Sequence, residues 1–125
     1  MKFEEAKSQS ETSISSYGNG GFRIGENLRV EGSVLLTPQG YYPWEVTSKE
    51  QLSPESFARI VEMSDELELL IIGTGENMIF LDRNLRSYLE GHGVGVEVMA
   101  TGAASRTYNV LLLEGRRVAA ALIAV

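Results

Sequence analysis

The residues with the most chemical potential follow two strand-like stretches. Gly73-Thr74-Gly75 ends the apolar run LELLII (67–72), and Thr101-Gly102-Ala103-Ala104-Ser105-Arg106 opens a helical pattern directly after a second run at 94–99. Open α/β sheets place ligands at the carboxyl ends of their parallel strands. The unpaired amide groups of a helix start hold anions. Gly73, Thr74, Gly75, Thr101, Gly102, Ser105 and Arg106 are therefore a candidate ligand-binding set, suited to a phosphate or carboxylate. A structural alternative stands beside it: glycines supply positive φ in a turn, and small residues let a helix approach a sheet. GTGENM also lacks the third glycine of a dinucleotide fingerprint, and no lysine-serine pair makes a phosphate loop of the Walker type.

Other candidates are thinner. Glu97 interrupts the alternation of Val94, Val96 and Val98; it is either a functional carboxylate or a hydrated residue at the edge of a sheet. His92, the single histidine, lies between Gly91 and Gly93 in a predicted helix-to-strand turn, so a Ser-His hydrolase has no well-placed base. No cluster suits a metal, and no catalytic residue or cofactor is assigned. The balance leans away from an enzyme. Tyr41, Tyr42 and Trp44 sit around Pro43 in a predicted loop, either as a partner-binding patch or as a lid over the core. Arg23, Arg116 and Arg117 read as solvated charges.

Composition narrows the classes. With no cysteine, disulfides, thiolate metal sites and cysteine nucleophiles are excluded. A net charge of −6, from 17 acidic and 11 basic side chains, opposes a nucleic-acid backbone instead of neutralising it. The longest apolar run, 118–125, is far short of the roughly 20 residues a membrane helix needs. The start MKFEEAKSQSETS is acidic and polar where a signal peptide is apolar and a mitochondrial presequence is arginine-rich. The expectation is a cytoplasmic protein with no membrane insertion. Its expected partners are another protein or a small anionic ligand.

The elements that must position these residues read as one α/β domain over 14–125, after a flexible polar arm at 1–13. Short β-rich segments at 14–17, 22–24, 27–30 and 33–37, separated by glycine turns, predict an antiparallel meander, with 45–47 as a further strand. Ser53-Pro54-Glu55 is a strong helix start, and Phe57, Ile60 and Val61 give that helix one apolar face. The run 67–72 resembles a parallel strand covered on both sides. An extended segment at 78–81, a helix at 82–90 with Leu85, Tyr88 and Leu89 inward, and a strand at 94–99 follow. Thr101 then caps a helix closed by Gly115, and 117–123 is the last strand. Antiparallel strands followed by a βαβαβ half imply a mixed sheet.

The blocks YGNGGFRI (17–24), SVLLTPQGYYPW (33–44), LLIIGTG (69–75) and GVGVEVMATGAASRTYNVLLLEGRRVAAALI (93–123) occur in one order that resembles a known family. It is the domain of unknown function found in the mitochondrial respiratory complex I assembly factor and in the adipogenesis-associated Mth-type domain proteins. The resemblance implies a three-layer α/β domain with a mixed sheet and brings no established catalytic residues. Ala100 and Ser105 stand where some members carry an acidic residue and a cysteine. The function it implies is a noncatalytic protein-interaction or assembly-factor-like module. The alternative is a small anionic-metabolite binding protein or enzyme using the 73–75 turn and the 101–106 helix start.

Overall fold

The computed structural model describes residues 12–125; residues 1–11, most of the arm expected at 1–13, lie outside the described residues. Strands β1 (Ile14–Gly18), β2 (Gly21–Ile24) and β3 (Leu28–Glu31) form a small antiparallel sheet. Strands β4 (Val34–Thr37), β5 (Gly40–Pro43), β6 (Leu69–Gly73), β7 (Gly95–Met99) and β8 (Val118–Leu122) form a second, in the order β5-β4-β8-β6-β7. β6 runs parallel to both β7 and β8, while β4 is antiparallel to β8 and β5. Helices α1 (Ala58–Glu62), α2 (Arg83–Glu90) and α3 (Thr101–Leu113) pack with these strands.

Side chains alternate across a strand, so the five-stranded sheet serves two cores. Leu35, Leu70, Ile72, Ala119 and Ala121 meet Phe57, Ile60, Leu85 and Leu89 from the α1 and α2 layer. Val34, Leu36, Ile71, Ala120 and Leu122 meet Ala104 and Tyr108 of α3 together with Phe22 and Ile24 of the small sheet. The result is three layers with a mixed sheet in the middle, as the resemblance implies. The middle strand is β8, and all five of its residues are buried. Its three consecutive alanines leave room for close approach from both sides, notably where Ala120 and Ala104 share one core.

The helix start at Ser53 follows its predicted chemistry. Ser53 accepts from the amide of Ser56 ahead of a 3-10 turn, Pro54–Phe57, that leads into α1. Asp82 accepts from the amide of Leu85 ahead of α2. Gly115, with φ 78, follows the end of α3.

Several local expectations are corrected. The meander divides, because β4 leaves the small sheet to pair with β8 in the large one. Residues 41–43 are strand and not loop, since Pro38-Gln39 makes a tight hairpin in which Thr37 Oγ1 donates to the carbonyl of Gly40. Residues 45–47 form no strand and bury Val46 without a ladder partner, while the segment expected to be extended at 78–81 links β6 to α2 outside both sheets. Tyr88 faces solvent, its ring edge-on to His92 at 5.0 Å, because Leu85 and Leu89 take the inward stripe of α2. Thr101 is the first helical residue of α3, with Ala100 in the capping position.

Tyr108 is fully enclosed. Its hydroxyl sits beside Thr12 but makes no well-aligned hydrogen bond among the described residues. Burial pushes its pKa up to about 12, with Thr12 pulling the other way. An unfolded tyrosine releases its proton near pH 10, so between about 10 and 12 the unfolded chain binds fewer protons than the folded one and stability falls as pH rises. The full loss is about 2–3 kcal/mol. Tyr108→Phe is expected to remove this alkaline loss and to change stability at pH 7 by less than about 1 kcal/mol. Urea midpoints at pH 7 and pH 11 check both.

Candidate functional site

β6 carries the chain to Gly73, where there is no room for a side chain. A Cβ on Gly73 would lie 2.9 Å from Leu122 Cδ2 and 3.0 Å from both Cα and Oγ1 of Thr101. That crowding brings the ends of three parallel strands together. The Thr74 amide donates to Met99 O at 2.9 Å, and the Thr74 hydroxyl donates to Asn77 O at 2.7 Å. The Thr101 amide donates to Gly75 O at 2.8 Å, and the Gly75 amide returns a bond to Thr101 Oγ1 at 2.9 Å. Thr101 Oγ1 in turn donates to Ile123 O at 2.7 Å, and the Ile123 amide donates to Gly73 O at 2.9 Å. Thr101 is wholly buried, so its hydroxyl needs those two bonds.

The 73–75 turn and the helix start are thus brought together, and the amides of Gly75 and Thr101 are engaged across the junction. An anion cradle needs unpaired amides, and those of Thr74, Gly75 and Thr101 are taken. Ser105 is buried and donates to the carbonyl of Thr101 within its own helix. Arg106 is exposed and donates through Nη1 to the Tyr17 hydroxyl at 3.0 Å. Tyr17 also lies across the first turn of α3, where a Cβ on Gly102 would come within 2.6 Å of its oxygen. Ser105 and Arg106 therefore do not converge on one point. A cleft of about 340 Å³ opens on the other side of the turn, lined by Thr74, Gly75 and Asn77 with Ser48, Lys49 and Ile123. The α3 start does not line it.

The remaining candidates are dispersed. Glu97 is exposed on β7, the edge strand, and His92 is exposed in the turn before that strand. Among the described residues no group of three His, Cys, Asp or Glu could hold a metal ion. The three aromatics share no surface. Trp44 is 4% exposed; its Nε1 donates to Ser56 O at 2.7 Å, and its ring lies 5.5 Å from Phe57. Tyr42 is half-buried beneath the Arg59 guanidinium at 3.8 Å, and Tyr41 is exposed. Phe80 was not singled out by sequence reasoning, yet it is 90% exposed and Met78 beside it 51%. The available signal was the apolar string MIFL lying between a glycine turn and the cap Asp82, too short and too tightly bracketed for an independent strand.

A family model for a protein of unknown function, DUF498/DUF598, matches residues 14–123. This chain belongs to the DUF498/DUF598 family. Its relatives include a Xenopus tropicalis protein named NADH dehydrogenase [ubiquinone] 1 alpha subcomplex assembly factor 3, 36% identical over 110 residues. That match covers 88% of this chain and 60% of the relative, so the chain spans well under two thirds of that protein's length. Among solved structures, an outer membrane protein from Bartonella henselae superposes with TM-score 0.85 and 41% identity, covering 91% of this chain and 95% of that one. A Bordetella pertussis protein described as a Mth938-like domain superposes with TM-score 0.78 and 26% identity, covering 91% and 86%. The Mth-type architecture of the DUF498/DUF598 chain is therefore shown. No helix among its described residues is long and apolar enough to cross a membrane.

In this DUF498/DUF598 protein, Thr101→Val should strand the Gly75 amide and the Ile123 carbonyl, at about 1–3 kcal/mol each. Thr101→Ser retains the hydroxyl and is expected to stay within about 1 kcal/mol of the parent, and Arg106→Ala within about 0.5 kcal/mol. Urea denaturation of the three variants separates a structural stitch from a surface site.

Proposed function

We propose that the chain is a noncatalytic protein-interaction module of the kind that assists the assembly of a larger complex, and that it engages its partner through the loop between β6 and α2. The observation that carries this reading is Phe80, an aromatic side chain 90% exposed. Leaving a phenylalanine in water forgoes about 1.5–3 kcal/mol of burial free energy, and aromatic anchors on surfaces are the groups that interfaces bury. The names of relatives such as the Xenopus assembly factor support the same class of role. So does the saturation of the Thr101 hydroxyl, which is committed to Gly75 and Ile123.

A second reading, a small ligand in the cleft beside Thr74 and Gly75, is favoured by the cleft's position at the carboxyl ends of β6 and β8. Glu50 and Glu76 outnumber Lys49 in its lining, which disfavours an anion there. A thermal-shift screen of phosphates, carboxylates and amines tests it. If no compound raises Tm in a way that Thr74→Val abolishes, this reading fails.

For the interaction reading, Phe80→Asp should leave Tm and far-UV circular dichroism unchanged, because the side chain makes no core contact. Loss of an anchor worth roughly 2 kcal/mol weakens binding about 30-fold. Affinity capture from the native host with wild-type and Phe80→Asp chains is the measurement. Equal recovery of the same proteins by both would refute the loop as the docking element.

A further inference from the structure

Every open sheet has edges whose backbone groups invite pairing, and proteins usually block them. Among the described strands, three of the four edges are obstructed. β5 ends in Pro43, which has no amide hydrogen. β1 is clasped at Ile14 by Asn109, which accepts from its amide at 2.9 Å and donates to its carbonyl at 2.7 Å. β3 carries the exposed Arg29–Glu31 ion pair.

β7 is different. The Gly95 amide donates to Glu68 O, and the Met99 carbonyl accepts from Thr74, so both residues turn their backbone toward β6. Backbone direction alternates along a strand, so Val96 and Val98 turn theirs to the open side. Arg86 Nη1 covers the Val96 carbonyl at 3.1 Å from a partly exposed helix position, where it also pairs with Glu90 at 3.4 Å. The Val98 amide and carbonyl have no hydrogen-bond partner among the described residues. Val96 and Val98 pack toward the α2 core, and Glu97 is exposed on the opposite face.

We propose that β7 accepts an extended segment of a protein partner as a sixth strand, with apolar side chains on the α2 side and a basic residue beside Glu97. This rests on the interaction reading above but uses residues other than Phe80. Charge selects the occupant. A second copy pairing antiparallel about Glu97 would set two carboxylates side by side, which destabilises a strand pair, and a net charge of −6 on each copy adds repulsion. A strand bearing lysine or arginine at that register meets the opposite condition. Its backbone bonds to Val98 supply affinity, and Glu97 supplies discrimination.

The test is an amide-resolved NMR titration of the full chain with two capped peptides, KTVKVTK and KTVEVTK. The expected result is slowed hydrogen exchange at the Val98 amide and about fivefold tighter binding of the lysine peptide. The preference should reverse in Glu97→Lys, and Phe80→Asp should not alter it. Arg86→Ala, which uncovers the Val96 carbonyl, should bind the lysine peptide at least as tightly as the parent. Three results would overturn the proposal: no change at Val98 up to millimolar peptide, no reversal of preference in Glu97→Lys, or a dimer of the free chain whose interface protects the Val98 amide. Phe80-dependent capture surviving any of these would leave the broader interaction reading standing, while its loss with peptide pairing intact would remove the loop and keep the edge.

Discussion

One buried hydroxyl holds the carboxyl end of the parallel sheet together. Thr101 Oγ1 accepts from the turn after β6 and donates to the residue after β8, while the Thr101 amide closes the return bond to Gly75. A serine or threonine hydroxyl can donate once and accept as well, and both capacities are used here inside the protein, where an unmade bond is costly. Gly73 follows from this arrangement, since a side chain there would collide with the backbone of Thr101 itself. The glycine serves close approach, and Gly75, at φ 102, serves the turn geometry.

With the strand ends fixed, the rest of the fold has few alternatives. β6, β7 and β8 hold register through α2 on one face and α3 on the other, so every inner strand must be apolar on both sides. β8 meets that demand with the smallest side chains available, VAAAL, and becomes the enclosed middle of the sheet. The small sheet then covers the part of the α3 face that the helix leaves open, through Phe22 and Ile24. On the opposite face Trp44 bridges layers by donating to Ser56 at the helix entry. Its loss from any surface role follows from that bond.

The elements legible in the sequence are those whose signals are local. Ser53-Pro54 and Gly115 mark helix ends through chemistry confined to a single turn, and LELLII announces a doubly covered strand by composition alone. Where a signal depended on a distant partner, the reading failed or stopped short. Tyr41 to Pro43 carry a proline and so read as loop, yet β4 pairs with them. Tyr88 has the right spacing to face inward, but Leu85 and Leu89 suffice to fill the contact. The candidate site shows the same limit. The glycine turn and the α3 start were located correctly and do meet, but Gly75 and Thr101 lie 26 positions apart. Nothing in either segment alone reveals that each consumes the other's donors.

That mutual consumption bears on function. A binding site for a small anion keeps unspent donors aimed at the ligand, and the amides of Thr74, Gly75 and Thr101 are spent on cohesion. The unspent groups lie elsewhere in the same β6-α2-β7 unit: an aromatic ring on its loop and a pair of backbone groups on its edge strand. The loop is pinned at one end by the Thr74 hydroxyl on Asn77 and at the other by the Asp82 cap on Leu85. Pinning both ends shortens the segment left to be ordered and lowers the conformational entropy lost when a partner covers Phe80. A rigid junction beneath a short irregular loop suits the protein-recognition role proposed for it. In that proposed role the Thr101 stitch would act indirectly, by holding still the scaffold from which the loop and the edge project.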